Sequence, residues 1–144
     1  MDQTTILDVL LIIHFAGLMM GAGGGLGSTI VMRHAATLAP EQGSIVRGAG
    51  PALARLSTTG LVLMLLTGGA MVQFKYGGFS AMPPMFWVKM AFVVLLTLGV
   101  ILIEVTYVQV KKGNAAAAAN LPKFGPLAGI SALLAVVFAV LAFH

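Results

Sequence analysis

The chain has 144 residues, of which 59% are hydrophobic and only 8% charged, against about 25% charged in an ordinary soluble domain. So few charges cannot solvate a globule of this size, which excludes a water-soluble enzyme and a disordered chain. The formal charge of +4 comes from eight Lys and Arg against four Asp and Glu. The basic residues gather in connections between apolar stretches, a pattern that fits membrane topology and gives no reason to expect nucleic acid. With no cysteine, disulfides, iron–sulfur clusters and thiolate zinc sites are excluded.

A helix crosses a hydrocarbon core of about 30 Å in roughly 20 residues, and four stretches reach that length. The first covers about 6–32 and is interrupted only by Asp8 and His14. It is too long for a signal-peptide core and follows Asp2 rather than Lys or Arg, so we read it as a retained helix. Its glycines include Gly17, Gly21 and Gly25, and Gly23 and Gly27, at four-residue spacing. That spacing suits close helix packing in lipid, and a smooth face of this kind could also admit a flat cofactor or a lipid. The segment 21–27 is not a nucleotide loop, because no strand precedes it and no P-loop Lys and Ser or Thr follow.

The second stretch covers about 56–74. The third covers about 85–110 and contains Lys89 and Glu104, and the fourth covers about 124–143 without a charge. Gly125 and Gly129 repeat the four-residue spacing in the last. The expected fold is all-α: an integral membrane four-helix bundle forming one domain over 1–144, packed through Gly17, Gly21, Gly25, Gly125 and Gly129. The lipid bilayer is its expected surroundings, with a homo-oligomer or a larger membrane complex as its expected assembly.

The connections fall at 33–55, 75–84 and 111–123. The first carries Arg33, Arg47 and Arg55 against Glu41, and the third carries Lys111, Lys112 and Lys123 with no acid. Two spans separate these basic connections, so they share a side. The positive-inside rule places both in the cytoplasm of a bacterial inner membrane, with the N- and C-termini on the outer side. Phe74, Tyr76, Phe79, Phe86 and Trp87 cluster about the outer connection, as interfacial aromatics do. The alanine run 115–119 is read as a possible extension of a helix end and carries no function.

Polar side chains at membrane depth default to functional candidates. His14 lies roughly 12 Å below the outer edge, and Lys89 roughly 7 Å below the same edge, so the two can line one cavity. The imidazole suits a haem iron ligand, a proton carrier, or a structural histidine bonded to a neighbouring helix. The Lys89 ammonium suits a propionate or substrate carboxylate, or it snorkels to the headgroups. Arg55 and Glu104 both fall near the inner edge and are expected to form a structural ion pair, with proton entry at Glu104 as the alternative. His34 lies about 30 Å from His14 along a continuous helix, too far to share a metal with it, and beside Arg33 it reads as solvated. His144 could fold back as a second ligand or fray as a terminus. Met82, Met85 and Met90 offer thioethers suited to Cu(I), which makes copper handling the least favoured reading.

In order, the pattern is distinctive. The first stretch has His14-Phe-Ala-Gly-Leu-Met-Met-Gly and ends Val31-Met-Arg-His34. The second opens Leu53-Ala-Arg-Leu-Ser-Thr-Thr-Gly-Leu and reaches Leu66-Thr-Gly-Gly. The third opens Phe86-Trp-Val-Lys-Met90, and an apolar helix closes the chain. This resembles, over nearly the full length, the small four-helix membrane proteins related to the HemJ type of protoporphyrinogen oxidase. It is also similar to the membrane domain of CopD-like copper-resistance proteins. The resemblance implies b-type haem, with His14 as its iron ligand and Lys89 as a second catalytic-site residue, in electron transfer or HemJ-like oxidation by a haem-dependent oxidoreductase. The chain differs from the HemJ pattern in carrying the glycines of 21–27 after the first-span His, and in lacking a His after Trp-x-Lys. It would therefore be a divergent member. The contrasting expectation is a non-enzymatic membrane subunit that packs within a larger complex.

Overall fold

The computed structural model describes residues 2–143, and every regular element among them is helical. The order is α1 (Gln3–Thr37), α2 (Pro40–Arg47), α3 (Gly50–Tyr76), α4 (Pro84–Lys111) and α5 (Leu121–Phe143), with short 3-10 helices at Phe79–Ala81 and Ala115–Asn120. Four helical segments are long and apolar enough to cross a membrane. His144 lies outside the described residues.

The helices overrun the expected connections. α1 continues through Arg33 and His34 to Thr37, α3 already begins at Gly50 and so contains Arg55, and Lys123 lies within α5. The alanine run forms a 3-10 helix with Ala117 buried that continues directly into α5 and so extends its first end. The physical reason is that a helix satisfies its own backbone in water as in lipid, so it does not stop at the hydrocarbon edge. Proline and glycine mark several of the ends, although α5 runs on through Pro126. Pro40, Pro51 and Pro84 occupy first-turn positions of α2, α3 and α4, where a missing N–H does no harm. Gly77 closes α3 at φ 73 and donates to the Gln73 carbonyl, a left-handed cap that glycine alone takes without strain. At the start of α1, Asp2 accepts from the Thr5 amide at 3.3 Å. The Thr5 hydroxyl and amide hold the Asp2 carboxyl below the usual carboxylate range.

The helices run alternately up and down. α1 packs chiefly on α3, and α4 chiefly on α5, with thinner contact between the two pairs. Two apolar clusters join the pairs. Leu61, Val100 and Ala128 form one, and Val72, Met82 and Phe86 form the other beside the 77–83 connection. The outer surface is apolar too. On α1 alone, Ile12 is 68% exposed, Met19 76%, Leu26 66% and Ile30 66%. Such a surface is consistent with contact to lipid and is far larger than water tolerates.

Glycine makes the α1–α3 contact. A Cβ on Gly17 would stand 2.8 Å from the Gly60 carbonyl oxygen, and one on Gly24 would stand 2.6 Å from the Leu53 oxygen. A Cβ on Gly60 would strike the Gly17 oxygen and the Gly21 nitrogen. The expected packing set is thereby corrected. Gly17 and Gly21 lie at the crossing, but Gly24 replaces Gly25, which is exposed and meets only the Ser57 hydroxyl at 3.9 Å. At about 100° per residue, a step of seven returns to nearly the same face, whereas a step of eight drifts by about 80°. In α5, Gly129 has nothing within 4 Å and Gly125 meets only the Thr29 hydroxyl at 4.0 Å. The close approach of α4 to α5 is made instead at Gly99, whose Cβ would lie 3.1 Å from that of Ala128.

Gly60→Ala is expected to lower stability by about 1–3 kcal/mol through overpacking against backbone that cannot yield. Gly23→Ala, placed where nothing lies within 4 Å, should be neutral or slightly stabilising. Unfolding in mild detergent, followed by circular dichroism, measures both.

Candidate functional site

Position 14 lies on the same face of α1 as Gly17, Gly21 and Gly24, because steps of three, four and three keep residues in line along a helix. The glycine contact therefore draws His14 against α3. Its Nδ1 lies 2.9 Å from Thr67 Oγ1. Thr67 is buried, and its hydroxyl donates to the Leu63 carbonyl at 2.6 Å, one turn back on α3. A hydroxyl has a single hydrogen. With that hydrogen committed to Leu63, Thr67 Oγ1 is an acceptor toward the ring, so His14 Nδ1 carries the hydrogen. The imidazole is thus oriented as the tautomer whose Nε2 has a bare lone pair.

Gly68 completes the seat. A Cβ there would lie 3.3 Å from His14 Cε1, so the ring rests against a position that tolerates little bulk. From α4, the half-buried Lys89 is close enough for its charge to act on His14. Its Nζ stands 5.6 Å from the centroid of the Phe86 ring, a cation–π geometry. The structure sets Thr67 and Gly68 against His14, partners that the residue-by-residue reading missed. The segment Leu66-Thr-Gly-Gly was visible as a motif, but nothing in it named the histidine as its partner.

The other candidates fall elsewhere. His34 is exposed near the far end of α1, as a solvated histidine would be. Arg55 and Glu104 line one cavity between α3 and α4, and the Glu104 carboxyl bonds the Thr58 hydroxyl at 2.6 Å. Met82 is buried against Val72 and Phe86, and Met90 packs on the same cluster, so apolar packing accounts for both thioethers. Among the described residues, no three His, Cys, Asp or Glu side chains converge as a metal cage. Any metal at His14 would therefore have to bring most of its own ligands, as a porphyrin does.

Comparison with family models, curated proteins and solved structures finds no match.

Nitrogen-15 NMR of histidine-labelled protein should show His14 with hydrogen on Nδ1 and a bare Nε2. Thr67→Val removes the acceptor and should turn this single tautomer into a mixture. An unchanged His14 spectrum in that variant would show that the hydroxyl does not orient the ring.

Proposed function

We propose that this chain is a four-span protein of a bacterial inner membrane that holds b-type haem through His14 and takes part in electron transfer, with HemJ-like oxidation as its catalytic form. The single observation that carries the reading is the His14–Thr67–Leu63 chain, which holds the imidazole with Nε2 free. A ligating histidine in a metal site characteristically has its other nitrogen tied in this way. The Lys89 ammonium fits the same reading, by pairing with a propionate. A bound haem would supply reversible one-electron chemistry. The chain would supply the ligand, the ring orientation and the neutralising charge. The resemblance of the His14 and Trp87-Val-Lys89 segments to HemJ-like proteins points the same way.

The charges support an orientation. Arg33, Arg47, Arg55, Lys111, Lys112 and Lys123 all stand toward the end of the bundle that carries α2, while Asp2, Asp8 and Lys75 stand toward the other. The positive-inside rule then places α2 in the cytoplasm and the termini and the His14 site on the outer half.

One observation favours a second reading, a packing subunit within a homo-oligomer or a larger membrane complex. A Cβ on Gly23 or Gly129 would meet nothing beyond its own helical neighbours within 4 Å among the described residues, so a helix from another chain could approach there. A free monomer in mild detergent would argue against that reading.

Protein purified after haem-supplemented expression should show a Soret band and reduced α and β bands that His14→Ala abolishes. Thr67→Val should weaken haem affinity by about 10–100-fold, the usual penalty for losing the partner of a ligating histidine. Full haem in His14→Ala would overturn the ligand assignment. Because the chain has no cysteine, orientation is measured directly with single cysteines at Gln42 and Ser80. A membrane-impermeant maleimide added to intact spheroplasts should label Ser80→Cys and spare Gln42→Cys.

A further inference from the structure

The end of the bundle that carries α2 holds a concentration of charge that the His14 site does not use. Arg33, Arg47, Arg55, Lys111, Lys112 and Lys123 are all exposed there. The acids at this end are Glu41 and Glu104, and the Glu104 carboxyl already accepts from the Thr58 hydroxyl. The opposite end carries Asp2 and Asp8 against Lys75.

Contacts between helices fix the level of these charges. A Cβ on Gly50 would strike the Met32 methyl and the Tyr107 hydroxyl, so α1, α3 and α4 meet there near one level. Arg33, Lys111 and Lys112 stand one to five residues beyond it, toward the connections, at most about 8 Å along a helix. Arg47 joins them because α2 folds back along α1, where a Cβ on Gly43 would lie 2.6 Å from the Ala35 oxygen. These four charges fall in a band about as thin as one headgroup layer, which adds about 5–8 Å to each side of the hydrocarbon core. Arg55 and Lys123 stand deeper, on stems long enough to return their charge toward the band. α2 also offers an apolar contact. Its eight residues are too few to span a membrane. Gly43 is buried, while Ile45, about 200° round the helix, is 77% exposed two positions from Arg47. An apolar side chain beside a cation suits a helix lying among headgroups.

We propose that the α2 end of the bundle binds acidic phospholipids, taking a headgroup of net negative charge in preference to a zwitterionic one on the same acyl chains. The arginine guanidinium groups suit two oxygens of one phosphate, and the lysines act on it as point charges. A zwitterionic headgroup brings its own cation into a band that is already basic, and so gains less. A soluble acidic peptide would answer the charge but leave Ile45 in water. A phospholipid answers both, because its phosphate and its acyl chains meet at the level where Arg47 and Ile45 stand together. The proposal rests on the membrane-spanning reading, holds for either orientation of the chain and is independent of haem.

Native mass spectrometry of the full chain in mild detergent tests it, with equimolar phosphatidylglycerol and phosphatidylcholine of identical acyl chains. The expected result is a preference for phosphatidylglycerol adducts. Arg33→Gln, Arg47→Gln, Lys111→Gln and Lys112→Gln should each lower that preference by roughly fivefold, whereas Lys75→Gln at the opposite end should leave it unchanged. Circular dichroism checks that each variant keeps its helices. A second readout needs no variant. The preference of the native chain should fall as salt is raised from about 0.1 to 1 M, which shortens the screening length from about 10 to about 3 Å. Equal adducts of the two lipids would overturn the proposal, as would a preference that survives when all four residues are glutamine. A preference lost in Lys75→Gln and kept in the other variants would place the lipid at the opposite end and equally overturn it. Resistance of the membrane-bound chain to extraction by alkaline carbonate tests the spanning reading separately.

Discussion

The contact of backbone on backbone between α1 and α3 is the constraint on which the rest depends. Residues 14, 17, 21, 24 and 28 of α1, and 53, 57, 60, 64 and 67 of α3, follow the alternating three- and four-residue steps of a single helix face. Because Gly17, Gly24 and Gly60 carry no side chain, the two faces meet closely enough for Cβ atoms to be excluded at these positions. Small residues let dispersion contacts accumulate where lipid gives helices no apolar reason to associate. His14 and Thr67 ride on these faces. A wider separation would carry the imidazole out of hydrogen-bond range of the hydroxyl, and with it the orientation of the ring.

Threonine is the adaptor by which this chain places polar groups in an apolar setting. A hydroxyl in a helix can give its hydrogen to the carbonyl one turn back, which satisfies it without a partner helix. The oxygen then remains as an acceptor facing outward. Thr67 presents that acceptor to His14, whereas the Thr58 hydroxyl donates to the Glu104 carboxyl. Each pair joins two helices, and each avoids the expense of an unsatisfied polar atom in a medium without water.

The bundle is two close pairs, α1 with α3 and α4 with α5, joined more thinly through Leu61, Val100 and Ala128 and through Val72, Met82 and Phe86. His14 and Thr67 meet within the α1–α3 contact, while Glu104 and Thr58 meet between α3 and α4, where the two pairs join. Lys89 stands on α4, near enough for its charge to act on His14.

Much of this protein can be read from residue order. The four long apolar stretches, the absence of cysteine and the uneven distribution of charge specify an all-helical chain with four segments able to span a membrane. Helix length and hydropathy are local properties that each segment carries by itself. The polar residues His14, Lys89 and Glu104 stood out for the same reason, because each is rare in its own apolar surroundings. Their partners did not stand out. Thr67 is 53 positions from His14, and Thr58 is 46 from Glu104, and threonine is unremarkable in any helix. Whether Gly24 or Gly25 meets α3, and which threonine meets which titratable group, depends on the rotation and register of one helix against another. Those are set by packing between distant segments, so the tertiary structure alone decided them.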